Sequence, residues 1–314
     1  MAVETTAATP TPRAPALGVA RPRYGEIVIK GLLVAASVLS IAVTFGIVAS
    51  LLGETLVFLR EVGVVEFLTG REWAPLFSDP TFGILPLVNG TLLITGIAIL
   101  VAIPLGLGAA VYLSEYAPSR VRRVLKPVLE LLAGVPTIVF GYFALTFFTP
   151  VVLRDLLGME VQVFNALSAG IVMGFMVLPT IASVAEDAMA AVPSALREGA
   201  FGLGASKLQV STRVVFPAAL SGIVAAIVLG VSRAIGETMI VLVAAGQQPQ
   251  LGLDPRQPLE TMTAFIAATA KGDVPTGSIG FLAIFAVGAA LFILTLIANA
   301  ISISFVRRYR QVYE

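Results

Sequence analysis

The chain has 314 residues, 57% of them hydrophobic and 12% charged, with a mean hydropathy of +0.96 and a formal net charge of +1. A soluble globular protein carries about 25% charged residues, so this composition belongs to an all-α polytopic membrane protein. Cysteine and histidine are both absent, which excludes disulfides, thiolate or imidazole metal sites and any Ser-His-Asp triad.

Residues 1–24 are rich in Ala, Thr and Pro and carry Arg13, Arg21 and Arg23. This reads as a disordered tail; the apolar run behind it is too long, and its flank too poorly defined, for a signal peptide. The membrane-spanning region is then 25–314. The first membrane span is expected near Ile29–Leu51. A mixed stretch follows from Leu52 to Phe82, in which Glu54–Leu68 suits a short amphipathic surface helix and Trp73 an interfacial position. The second span is expected near Leu85–Leu113. A basic loop with Arg120, Arg122, Arg123 and Lys126 precedes a third span near Pro127–Leu153 and a fourth near Phe164–Val184. Gly170 and Gly174 in the fourth match the GxxxG spacing of close helix contact. Glu186-Asp187 reads as a solvated helix end. A polar loop covers about 185–213. The fifth span is expected near Val214–Gly246 and the sixth near Ile279–Val306, where Asn299 suits an interhelical hydrogen bond.

Six spans put both termini on one side. That side gathers Arg13, Arg21, Arg23, Lys30, the basic loop, Arg197, Lys207, Arg213, Arg307, Arg308 and Arg310. The other side holds Arg60, Arg71, Arg154, Arg256 and Lys271. The positive-inside rule therefore expects cytoplasmic termini.

The fifth run is unusual in length and content. About thirty helical residues rise about 45 Å against about 30 Å of hydrocarbon, so the helix must tilt, project or break, and Gly236 is a plausible break. The run contains two charges, Arg233 and Glu237. An arginine stays charged and at a bilayer centre must face protein or water. At a spacing of four residues, the two side chains can pair on one helical face. Two readings follow: a cationic station on an anion path, or an ion pair that ties helices together.

The loop between spans four and five reads as helix, glycine turn, helix. Pro193 suits a helix start, Gly202 and Gly204 a stop, and Ser206 with Gln209 a capping box. Leu196, Ala200, Phe201 and Leu203 give it apolar surface that a solvated loop does not need. A docking surface and a self-packed connection both fit.

At this loop the chain resembles the permeases of ABC importers. Their cytoplasmic pattern is Glu-Ala-Ala, three residues, Gly, nine residues, then Ile-x-Leu-Pro. Here it stands as Glu198-Gly199-Ala200, Gly204, then Val214-Val-Phe216-Pro217. Gly199 departs from alanine and weakens the local helix. Phe82-Gly-Ile-Leu-Pro, Tyr112-Leu-Ser-Glu115-Tyr, Leu131-Leu-Ala-Gly-Val-Pro136-Thr, Leu178-Pro-Thr-Ile and Arg233-Ala-Ile-Gly-Glu237-Thr238 are similar to the PstC-type subunit of phosphate-specific importers. The resemblance covers about Ile29 to the C-terminus. It implies six transmembrane helices in the MetI-like, type I importer architecture, in a bacterial or archaeal inner membrane. It also implies a PstA-type second permease, a PstB-type ATPase dimer and an extracytoplasmic PstS-type phosphate-binding protein. In that family the loop docks on the ATPase, which places Glu198, Gly199, Ala200, Phe201, Gly204 and Pro217 at the coupling contact.

The chain lacks GxxxxGK[ST], so it cannot cradle ATP itself. No cofactor, metal or catalytic group is expected in it; ATP and Mg²⁺ belong to the ATPase partner. The expected substrate path is Arg233 attracting the anion, Glu237 restraining Arg233 and Thr238 adding a hydroxyl. An importer for sulfate or molybdate is the nearest alternative. An ion-coupled carrier needs more intramembrane carboxylates than Glu130 and Glu237, and a membrane enzyme needs a catalytic group that this sequence lacks.

Overall fold

The computed structural model describes residues 24–309 except Asp273; the tail of residues 1–23 and Arg310 lie outside the described residues. The chain divides between Ser50 and Leu51. Helix α1, Tyr24–Val62, runs through this boundary. Residues up to Ser50 are described only as an apolar helical stretch.

From Leu51 onward the chain is built almost wholly from helices. After α2 (Val64–Thr69), two short strands pair antiparallel as a ribbon, β1 (Trp73–Ala74) and β2 (Thr81–Phe82). Helix α3, Leu85–Val111, continues into a π-helical turn, Tyr112–Tyr116. Helix α4, Ser119–Ala133, is followed by α5, Thr137–Phe143, which widens into a π-helical stretch, Ala144–Leu156. Then come α6 (Ala166–Ala190), α7 (Ser194–Gly202), α8 (Lys207–Val210), α9 (Phe216–Ala218) and α10 (Leu220–Ile235). A π-helical turn, Val241–Ala245, and helices α11 (Met262–Lys271) and α12 (Ile279–Tyr309) complete it. Among the described residues five helices are long and apolar enough to cross a membrane. A sixth is obtained when the bent pair Lys207–Ala218 and Leu220–Ile235 counts as one span. The architecture is the expected polytopic helical one.

Two boundaries and the position of Trp73 differ from the sequence reading. The third span begins at Thr137, not Pro127. The intervening α4 has no buried residue and carries the basic residues Arg120, Arg122, Arg123 and Lys126; polar and apolar side chains fall on opposite faces, so it is a surface helix ended by Gly134 and Pro136. The expected surface helix at Glu54–Leu68 is instead the end of α1 plus α2. Trp73 is 4% exposed, packed edge-to-face on Phe265 at 4.9 Å, within a cluster that includes Phe58, Phe67 and Phe82. Large aromatic area favours burial wherever neighbouring rings can close over it.

The frame is the α3–α6 pair. A Cβ added at Gly174 would meet the Ala98 carbonyl oxygen and Val101 Cβ, each at 2.8 Å; one at Gly170 would meet Ile97 Cβ at 2.7 Å. Small residues let two membrane helices approach until backbone touches side chain, where dispersion and not water exclusion holds them. Gly174→Val is therefore expected to cost roughly 1–3 kcal/mol through overpacking. It should lower the thermal unfolding midpoint of the purified protein, whereas Gly96→Val, where nothing lies within 4 Å, should barely move it. Equal midpoints would refute the close contact.

Candidate functional site

Two arrangements stand out, one at the break after α10 and one around α7. Helix α10 ends at Ile235, and Gly236 interrupts the run beside the two charges. The break occurs where the sequence placed it. A second interruption at Ala219, after Pro217, bends the preceding segment by 72° from α10.

The break changes what the two charges do. Glu237 is buried, and its Oε1 accepts hydrogen bonds from the amides of Met239 (3.0 Å) and Ile240 (3.3 Å). It thereby satisfies backbone donors that the next helical turn leaves free. Arg233 is half-buried and donates from Nη1 to Thr180 Oγ1 on α6 at 3.2 Å. Among the described residues Arg233 has no ion pair, so the expected Arg233–Glu237 pairing is not formed. The physical reason is that i,i+4 neighbours face each other only on a continuous helix, and this helix stops between them. Thr238 donates to the Gly236 carbonyl at 3.3 Å, bracing the break. Thr263 Oγ1 donates to the Glu237 carbonyl at 2.7 Å, tying the start of α11 to the same point. An arginine has five N–H donors. With one of them used, the guanidinium remains a charged, multidentate donor at the level of a broken span.

Around α7 the loop has the expected form. Pro193 precedes the helix, and Gly204 follows it at φ +83°, a left-handed conformation that favours glycine. Ser206 and Gln209 form a reciprocal capping box at the start of α8. Phe201 is 47% and Leu203 91% exposed. Glu198, Gly199 and Pro217 are also exposed, and Ala200 is half-buried. The loop thus carries an exposed apolar tip.

Sequence reasoning missed what holds this loop. Arg197 donates to the Met189 carbonyl (2.7 Å), the Val192 carbonyl (2.6 Å) and Glu115 Oε1 (3.0 Å). It caps the C-terminal end of α6, where free carbonyls and the helix dipole favour a cation. Glu186, read from the sequence as a solvated helix end, is fully buried. It pairs with Arg122 and with Lys126 Nζ (2.7 Å), both from α4. Burial opposes the charge of Lys126, but its hydrogen bonds to Asp187 and Glu186 and their attraction outweigh that, raising its pKa. The signal was the spacing of Arg122 and Lys126, which puts two cations on one face of a helix.

The chain matches the model of the family "Binding-protein-dependent transport system inner membrane component" over residues 102–311. It is 37% identical over 235 residues to "Probable ABC transporter permease protein YqgH" of Bacillus subtilis, covering 74% of this chain and 75% of that protein. It is 33% identical over 288 residues to "Phosphate transport system permease protein PstC" of Mesorhizobium japonicum, covering 85% and 86%. The fold is similar to a chain of a bacterial ABC transporter involved in the import of alginate, with a TM-score of 0.63 at 15% identity, covering 92% of this chain and all of that one. It is also similar to a chain of the MetNI methionine ABC transporter, with a TM-score of 0.57 at 19% identity, covering 73% and 98%. A helical bundle with a broken span, a presented loop and this family match make one assignment: the chain belongs to the binding-protein-dependent inner membrane components, as a multi-pass permease of an ABC importer.

Proposed function

We propose that this chain is the PstC-type permease of an ATP-driven phosphate importer. In this reading it forms half of the path with a PstA-type permease, couples through α7 to a PstB-type ATPase dimer and receives phosphate from a PstS-type binding protein. The observation that carries it is Arg233: a permanent charge at a helix break within a membrane span, with no ion pair and one hydrogen bond among the described residues. Guanidinium geometry suits phosphate oxygens, and one arginine allows entry without a trap too deep to leave. The named relative of Mesorhizobium japonicum supports phosphate over other oxyanions.

The roles differ from a simple ion pair. Arg233 attracts the anion. Glu237 shapes the break by capping the next turn, and Thr238 braces it. Glu198, Gly199, Ala200, Phe201, Gly204 and Pro217 belong to the ATPase contact, with Phe201 and Leu203 as its apolar tip. The termini and α7 lie on the cytoplasmic side. ATP and Mg²⁺ are held by the ATPase.

The test is uptake into proteoliposomes that hold both permeases and the ATPase, with internal ATP and loaded binding protein outside. Phosphate should accumulate only with ATP, and excess sulfate should leave the rate unchanged. Sulfate uptake without phosphate uptake would keep the importer and discard the substrate.

A further inference from the structure

At the end of the bundle opposite α7 lies a cavity of about 760 Å³. Its walls are largely apolar, with Trp73, Phe77, Phe265 and Ile279 among them, and Glu260 lines it too. Glu260 is 6% exposed, yet its carboxylate has neither hydrogen bond nor ion pair among the described residues. It is also held in place. Its amide donates to the Gln248 carbonyl at 3.1 Å, and its own carbonyl oxygen lies so close to Gly90 that a Cβ there would stand 2.2 Å away. The next residue, Thr261, caps α11 by accepting from the Ala264 amide at 3.1 Å. These contacts fix the backbone from which the Glu260 side chain projects.

Two more unpartnered atoms lie on the adjoining ribbon. Trp73 Nε1 and Thr81 Oγ1 are buried without hydrogen bonds, and Trp73 lines the same cavity. Buried polar groups in native structures are nearly always partnered, and a buried carboxylate needs a counter-charge. The unpaired Glu260 carboxylate at this cavity indicates that its counter-charge is supplied from outside the chain.

We propose that this cavity is a socket for a lysine or arginine side chain of the extracytoplasmic binding protein, with the Glu260 carboxylate as its counter-ion. The chemistry fits in both parts. A methylene stem lies against apolar walls while its charged head reaches a polar end. The cavity is open at the end face of the bundle, between the ribbon, the loops, α11 and the start of α12, so the occupant arrives from water. Its volume exceeds one side chain and admits the flanking backbone. The inference rests on the importer reading above.

Burial raises the free Glu260 carboxyl to about 7. Among the described lining residues Glu260 alone titrates in the accessible range. A bound cation favours the ionised form. Docking should therefore be pH-independent above about 7 and weaken as pH falls below it, by up to tenfold per unit.

The experiment measures binding of phosphate-loaded binding protein to the complete importer in nanodiscs, from pH 5.5 to 8.5. The parental complex should show that acid-side weakening. Glu260→Gln should lose on the order of tenfold or more in affinity at pH 8 and show a flat profile, with subunit composition unchanged. Glu260→Lys should lose more, and a reversed charge on the matching basic residue of the binding protein should restore it. Equal affinity for the parental and Glu260→Gln complexes overturns the socket. So does a flat parental profile, which requires no variant. Loss of the second permease from the Glu260→Gln complex assigns the counter-ion to that subunit and overturns the binding-protein contact. A parental complex that binds no binding protein refutes the importer reading itself, before any variant is made.

Discussion

Replacing Arg233 with glutamine should lower ATP-dependent phosphate uptake on the order of a hundredfold, with assembly of the complex unchanged. Glutamine keeps a donor for Thr180, to which Arg233 Nη1 donates at 3.2 Å, so the local packing of α10 against α6 survives. What disappears is the charge and the fork. A hydrogen bond to a charged group contributes roughly 1.5–3 kcal/mol. Losing one or two at the anion's passing position corresponds to about tenfold to about twenty-thousandfold. Arg233→Lys should fall between, because it retains the charge and gives up the planar, bidentate geometry. Glu237→Gln should be milder, since its amide oxygen can still accept from Met239 and Ile240. Initial uptake rates in proteoliposomes decide this. A parental rate in Arg233→Gln, with all subunits present, would demote Arg233 to a packing residue and move the anion's contact to the second permease.

The double substitution Arg122→Ala, Lys126→Ala should be the most destabilising pair of changes at the α7 end. It leaves Glu186, whose side chain is 1% exposed, as a buried carboxylate facing no cation. Breaking a buried pair from one side costs roughly 3–5 kcal/mol. The lower end applies here, because the Arg122 and Lys126 side chains are 39% and 27% exposed and water can reach the vacated space. Adding Glu186→Gln to the double variant should recover much of the loss, since the stranded charge is then gone. Thermal unfolding of the purified complex measures both steps. Equal midpoints for the double and triple variants would show that α4 holds α6 by packing alone.

Much of this architecture was legible in the chain. Span number followed from apolar runs, and the break at Gly236 followed from a run too long for the bilayer. The α7–α8 turn was written in Pro193, Gly204 and the Ser206–Gln209 box, all of which act within a few residues. The misreadings concern partners distant in sequence. Pro127 was placed within a span because hydropathy runs across Gly134 and Pro136, whereas the chain turns there. Glu186 appeared solvated because its cations lie on another helix. Arg197 was counted as a charge for orientation, although its position after the α6 terminus makes it a cap. Arg233 and Glu237 have the spacing of a helical pair, but the break at Gly236 between them removes the continuous helix that pairing requires. Glu260 gave no local sign: its isolation is a property of the loops that surround it.

The 72° bend at Ala219 has a mechanical consequence. The arm Lys207–Ala218 leads from α7 toward the membrane and meets α10 far from collinear. A thrust along that arm is delivered to α10 mostly sideways, with a small part along its axis. A packed helix moved sideways keeps its depth in the bilayer and pivots against its neighbours by small sliding shifts. Ser232 Oγ, bonded to Asn299 Oδ1 at 2.6 Å on α12, lies near the far end of α10, one residue before Arg233. A push on α7 would thus reach the arginine as a swing and not as an axial shift.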